Sequence, residues 1–152
     1  MYIFDTNIFI TLKNYYVSIF PSIWNRLDVL ASTGKLYSVR EVLNEIKHDK
    51  GEVAAWTKAH RHIFRDPTDP EFKFISSIFR DSHFQSLIKR KDINQGRYVA
   101  DPFVIAAAKI HSGIVVTQES FAPNGAKIPN ICTKFSIPWL NMEGFFKREK
   151  LP

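Results

Sequence analysis

Cysteine is nearly missing from this chain: Cys132 is the only one. That excludes an intramolecular disulfide and a zinc cage built from several thiolates, and it suits a reducing, cytoplasmic setting. Long apolar runs are missing too. No stretch approaches the ~20 residues a helix needs to cross a bilayer, so no membrane role is expected. The first residues lack a basic patch followed by a long apolar stretch, so no signal peptide is expected. The 6 glycines form no Gly-x-x-x-x-Gly-Lys loop and no Gly-x-Ser-x-Gly elbow, which sets aside P-loop nucleotide hydrolases and serine hydrolases of that type. Histidine is sparse: His48, His60, His62, His83 and His111 include no His-x-x-x-His pair. His60-x-His62 is a weak zinc signal, and all five read as surface or helix-end residues. Acids are in deficit, 15 against 21 Lys and Arg, for a net charge of +6. That balance fits a polyanionic partner.

The 152 residues are 45% hydrophobic, enough for one domain, 1–152, that buries roughly two-thirds of the unfolded chain's surface. Tyr2 to Phe4 reads as a short buried strand and Asn7 to Leu12 as a short helix. Pro21 suits the first turn of the next helix, which keeps helical spacing through Ile23, Trp24, Leu27 and Leu30 and stops near Gly34. A second strand is expected over Lys35 to Ser38. Ser38 and Glu41 have the spacing of a capping box for a helix with Val39, Val42, Leu43 and Ile46 on one face. Glu52 to His60 reads as a helix, Asp66-Pro67-Thr68-Asp69-Pro70 as a turn, and Phe72 to Ile88 as an amphipathic, broken helical region.

Lys89-Arg90-Lys91 to Gly96-Arg97 is a basic loop. Pro102 to His111 is apolar nearly all round, a deeply buried helix. Ile114 to Thr117 is the clearest strand. Phe121 to Pro129 is expected as a loop, Ile131 and Cys132 as the start of a last strand, and Trp139 to Lys150 as a terminal helix. Strands alternating with helices predict an α/β fold with a central, mostly parallel sheet of four to five strands.

Four acids stand at the junctions of these elements: Asp5 after the first strand, Glu45 in the helix after the second, Asp101 before the buried helix, and Glu119 after Ile114 to Thr117. Carboxylates that converge repel one another unless a cation offsets them. Oxygen-rich sites suit hard Mg²⁺. Four acids placed this way in a basic chain suggest a magnesium-dependent nuclease. Each has an ordinary reading alone. Asp5 is a good helix cap ending a strand, Asp101-Pro102 is a standard cap arrangement, Glu45 fits a solvated helix face, and Glu119 fits a turn. A haloacid-dehalogenase-type phosphatase would want a second Asp at the position of Asn7.

Taken together, Tyr2-Ile3-Phe4-Asp5-Thr6-Asn7, Val42 to Ile46 around Glu45, Ala100-Asp101-Pro102-Phe103-Val104-Ile105-Ala106-Ala107-Ala108 and Val115-Val116-Thr117-Gln118-Glu119 resemble the PIN-domain ribonucleases, the fold of VapC-type toxins. Tyr15-Tyr16 through Phe20-Pro21-Ser22-Ile23-Trp24 resembles a subgroup of PIN-like proteins of unknown function. The resemblance implies an α/β/α sandwich and an acidic pocket at the strands' C-terminal ends holding one or two Mg²⁺ or Mn²⁺ ions. It places Asp5, Glu45 and Asp101 at the three main acids, with Thr6, Asn7 and Thr117 supporting them. Glu119 stands where the family more often has Asp. The implied activity is hydrolysis of RNA to 5′-phosphate and 3′-hydroxyl ends, with a small antitoxin protein as a candidate partner. Lys89, Arg90, Lys91 and Arg97 are candidate contacts to the RNA backbone. The 13 Phe and 3 Trp would serve a homodimer or antitoxin groove, although a filled core accounts for most of them. The rival readings are a PIN-like module that binds RNA or protein without cutting, and a nuclease acting on DNA or flaps.

Overall fold

The computed structural model describes residues 1–87 and 99–152. Five short strands form one sheet: β1 (Tyr2–Phe4), β2 (Leu36–Val39), β3 (Phe64–Arg65), β4 (Ile114–Val116) and β5 (Trp139–Leu140). Their order is β3-β2-β1-β4-β5, and every pairing is parallel. Parallel strands buried on both faces need continuous apolar runs, and Tyr2-Ile3-Phe4, Leu36-Tyr37 and Val115-Val116 supply them. The expected α/β architecture with a parallel sheet flanked by helices is therefore what the chain adopts.

Among the described residues the helices are α1 (Thr6–Leu12), α2 (Pro21–Ser32), α3 (Arg40–Ile46), α4 (Glu52–Ala59), α5 (Asp69–Phe79), α6 (Asp101–Ile110), α7 (Ile128–Lys134) and α8 (Met142–Glu149), with 3-10 turns at Arg61–Ile63 and Phe84–Leu87. None is long and apolar enough to cross a membrane. α6 is apolar nearly all round, as expected, and its Val104, Ile105, Ala106, Ala107 and Ala108 are buried. β1 carries an aromatic seam. Phe145 of α8 meets Tyr2 and Phe4 edge-on at 5.0 and 5.1 Å between ring centres. The Tyr2 hydroxyl donates to Glu149, which also holds Arg26 of α2 at 2.6 Å, so the last helix is latched to the first strand.

Four local expectations need correction. Ser38 is no helix cap: it ends β2 and its hydroxyl donates to the Phe4 carbonyl at 2.6 Å, while Val39 precedes α3 with no side-chain cap bond. The capping pattern is local, and parallel pairing to β1 overrides it. Thr68 and Glu71 make that contact instead, with the Glu71 carboxylate accepting from both the N–H and the hydroxyl of Thr68; Asp69-Pro70 accordingly opens α5 rather than completing a turn. Ile131 and Cys132 lie inside α7, not in a strand, and the 121–129 segment yields its last residues to that helix. The last strand is Trp139–Leu140, so the terminal helix starts only at Met142 behind an Asn141 cap. The expected break in the Phe72 to Ile88 region falls after Phe79.

Gly113 shows how tightly β4 enters the sheet. A Cβ there would sit 2.0 Å from Cδ1 of Ile3, which is fully buried. Gly113→Ala is expected to cost about 1–3 kcal/mol through overpacking, read as a lower midpoint in urea. Ile3→Val removes the obstructing methyl, so the double variant should recover part of the loss. A single variant as stable as the parent would contradict this packing.

Candidate active site at the sheet's switch point

β2 and β3 extend the sheet to one side of β1, and β4 and β5 to the other. The strand order therefore reverses between β1 and β4. In open parallel sheets the crevice beyond the C-terminal ends at such a point is where ligands bind. Asp5 follows β1 and Thr117 follows β4, so both stand at this crevice. The Asp5 N–H donates to the Val116 carbonyl at 3.0 Å and the Thr117 N–H to the Leu140 carbonyl at 3.0 Å, fixing both backbones to the sheet edge.

Asp5 is 2% exposed. One carboxylate oxygen accepts the Thr6 N–H at 2.7 Å, capping α1 as the ordinary reading expects. The other accepts the Thr117 hydroxyl at 2.9 Å. The Thr117 oxygen in turn accepts from the Asn7 amide at 3.1 Å and the Glu119 N–H at 3.2 Å. Asn7 closes a second link, its carbonyl oxygen accepting the Gln118 N–H at 2.8 Å. The Thr6 hydroxyl donates to Glu45, whose second oxygen accepts the Ala100 N–H at 3.0 Å. One hydrogen-bonded chain thus joins Ala100, Glu45, Thr6, Asp5, Thr117 and Glu119, drawn from four separate parts of the sequence.

Burial pushes the Asp5 carboxyl from 3.8 up to about 7. The Thr117 hydroxyl and the Thr6 N–H pull it down, while the charges of Glu119 and Glu45 push it further up. Asp5, Glu45 and Glu119 therefore share one field. Glu119 also raises the buried Cys132 thiol, after the larger effect of burial. A low-dielectric site where negative charge is held against its own repulsion is the setting a cation would relieve.

Asp101 occupies the first position of α6, one residue further into the helix than the cap position expected from Asp101-Pro102. Ala100 is the cap residue, with helical dihedrals, and the Glu45 bond to its N–H sets the start of α6 against the acidic chain. Glu119 is less free than its sequence position suggests. Its carboxylate accepts the Ile128 N–H at 2.8 Å, at the start of α7. Lys89, Arg90, Lys91 and Arg97 lie outside the described residues. Sequence reasoning missed Ala100 and Ile128, whose contributions are backbone N–H groups and leave no side-chain signal. It also missed Gln118, whose side chain accepts the Met142 N–H at 3.0 Å and ties α8 to the site.

The donor set of carboxylate and hydroxyl oxygens suits a hard divalent cation in kind and in charge. Among the described residues, no three His, Cys, Asp or Glu side chains are arranged to hold an ion by themselves. Mg²⁺ does not need such a cage, because it commonly takes one or two carboxylates and keeps several waters. An ion at this edge would draw on Asp5 and Glu45, which Thr6 links.

The family model described as a domain of unknown function (DUF4411) matches residues 2–152, a span that includes every element carrying the site. No curated protein and no solved structure matches the chain.

Proposed function

We propose that this chain, which belongs to the DUF4411 family, is a PIN-like, divalent-metal-dependent endoribonuclease. The observation that carries the reading is the buried Asp5 carboxylate at the switch point, linked through Thr6 to Glu45 and through Thr117 to the backbone of Glu119. The PIN-like order of the motifs around Asp5, Glu45, Asp101 and Glu119 and the net charge of +6 support it. A bound Mg²⁺ or Mn²⁺ would stabilise charge on the phosphoryl oxygens and make water a competent nucleophile. The chain's own part is to keep the Asp5 carboxylate oriented through Thr6 and Thr117, and Glu45 through Thr6 and Ala100. Thr117 also helps keep Asp5 ionised near neutral pH, because its hydroxyl favours the charged form. The setting would be cytoplasmic, and a small antitoxin with a basic side chain in the acidic pocket would be the natural inhibitor.

The test gives purified protein single-stranded RNA, structured RNA and DNA, each with Mg²⁺, Mn²⁺ or EDTA. RNA cleavage that needs the ion and disappears in Asp101→Asn is the expected result. Cleavage that survives EDTA, or survives in both Asp5→Asn and Asp101→Asn, would remove the metal-site reading.

A second reading, a PIN-like module that binds RNA or protein without cutting, is favoured by Glu119. Its carboxylate is committed to the Ile128 N–H, and its side chain is longer than the usual Asp. Such a module would bind RNA in EDTA and show no cleavage with either ion.

A further inference from the structure

Arg40, Asn44, Lys47, Lys58 and Arg61, with Asp49, line a cleft of about 430 Å³ between α3 and α4. Four cations face one acid there, and that acid is already offset: Asp49 pairs with Lys13 at 2.8 Å. Arg40 reaches Asp66 at 3.2 Å, but the Asp66 side chain is 69% exposed. Such a pair is screened and yields readily to a stronger anion. Lys58 and Arg61 are exposed and make no ion pair among the described residues. Three other clefts carry less surplus charge: Lys13 and Lys50 share one with Glu52, Lys134 sits with Asp81, and Lys147 with Glu143.

The position of the cleft matters as much as its charge. Arg40 directly follows the last residue of β2, and β2 is paired to β1. Neighbouring strands lie ~4.8 Å apart, so Arg40, which lines the cleft, starts from the same sheet edge as Asp5, one strand away. Apolar Leu43, Ile46 and Ala54 line it between the cations. Arg forks and Lys points along a groove are the arrangement that tracks a phosphodiester backbone without reading sequence.

We propose that this α3–α4 cleft binds the backbone phosphates of single-stranded RNA and carries the strand toward or away from the acidic site. The identity of the polymer rests on the ribonuclease reading above; the cleft's anion affinity does not.

The experiment is fluorescence anisotropy with a short, labelled single-stranded RNA of mixed sequence, in EDTA, over a salt titration. Lys58→Ala/Arg61→Ala should weaken binding about tenfold, and the salt dependence should become shallower by roughly 1.4 in log–log slope, as expected for two lost phosphate contacts on a single strand. Lys58→Arg/Arg61→Lys should keep both. Unchanged affinity and slope in the alanine variant would overturn the proposal, as would a parent chain that binds no RNA. Polyglutamate competing as well as RNA would also overturn it, in favour of an acidic protein partner. A parent that binds through the cleft but cleaves no RNA with either Mg²⁺ or Mn²⁺ would sink the ribonuclease reading and leave the cleft standing. A parent that cleaves, with affinity indifferent to Lys58 and Arg61, would do the reverse.

Discussion

Asp5→Asn should lower RNA cleavage by roughly a hundred- to ten-thousandfold, the several kcal/mol of charge stabilisation attributed to a catalytic metal, while making the metal-free protein more stable at pH 8. The two effects share one cause. In the fold the Asp5 carboxyl is held at about 7 instead of 3.8, chiefly by burial. The native state therefore binds more protons than the unfolded chain between about pH 4 and pH 7, and stability falls as pH rises through that window. Above it the full penalty stands, on the order of a few kcal/mol. Asparagine keeps an acceptor for the Thr6 N–H, so the cap of α1 survives. At pH 8 the substitution removes a buried charge and should raise Tm by several degrees. At pH 5 Asp5 is protonated in the fold but ionised in the unfolded chain, so the difference should be much smaller, and it should vanish only below about pH 4. Thermal melts at the two pH values in EDTA read this directly. A variant less stable at pH 8 than the parent would contradict the strained carboxylate.

Thr117→Val carries the second large effect. Thr117 is fully buried, and valine has nearly its shape. The hydroxyl donates to Asp5 and accepts from Asn7 and the Glu119 N–H, so one buried and two half-buried polar groups lose a partner at once. Leaving such groups unmatched costs ~1–3 kcal/mol each when relaxation is poor, and a combined loss of roughly 2–4 kcal/mol is expected. The Thr117 bond is also the largest influence holding the Asp5 carboxyl down. Without it the carboxyl should titrate above its present value of about 7. Cleavage at pH 7 should fall about tenfold or more and recover in part toward alkaline pH, whereas Thr117→Ser should keep the parent profile. A valine variant with reduced activity but an unmoved pH profile would assign Thr117 a packing role only.

Much of this arrangement is legible in the chain before any fold is known. Tyr2-Ile3-Phe4 is too short and apolar to be anything but a buried strand, and Asp5 after it both ends the strand and caps α1. Pro21 and Pro102 mark helix starts because a missing N–H costs nothing there. The segment around Ile131 and Cys132 misleads because a short apolar pair fits a buried strand as well as a buried helix. Pro129 at the start of α7 was the better signal. The true last strand, Trp139–Leu140, has two half-buried residues and no period to detect. The misplacement of α7 also concealed the fate of Glu119, since its Ile128 partner exists only once that helix does. Convergence itself is a property of strand order. That Asp5 and Thr117 face each other across 112 positions follows from β1 pairing with β4, which no local pattern encodes.

The central claim is that Asp5 and its neighbouring carboxylates hold a divalent ion. Electron paramagnetic resonance of free Mn²⁺, titrated with metal-free protein at pH 7.5, tests it without reference to any substrate. Saturable loss of the free-ion signal by the parent chain, abolished in Asp5→Asn and weakened in Glu45→Gln, is the predicted result. A parent chain that leaves the Mn²⁺ signal untouched, or an Asp5→Asn variant that binds the ion as well as the parent, would contradict it.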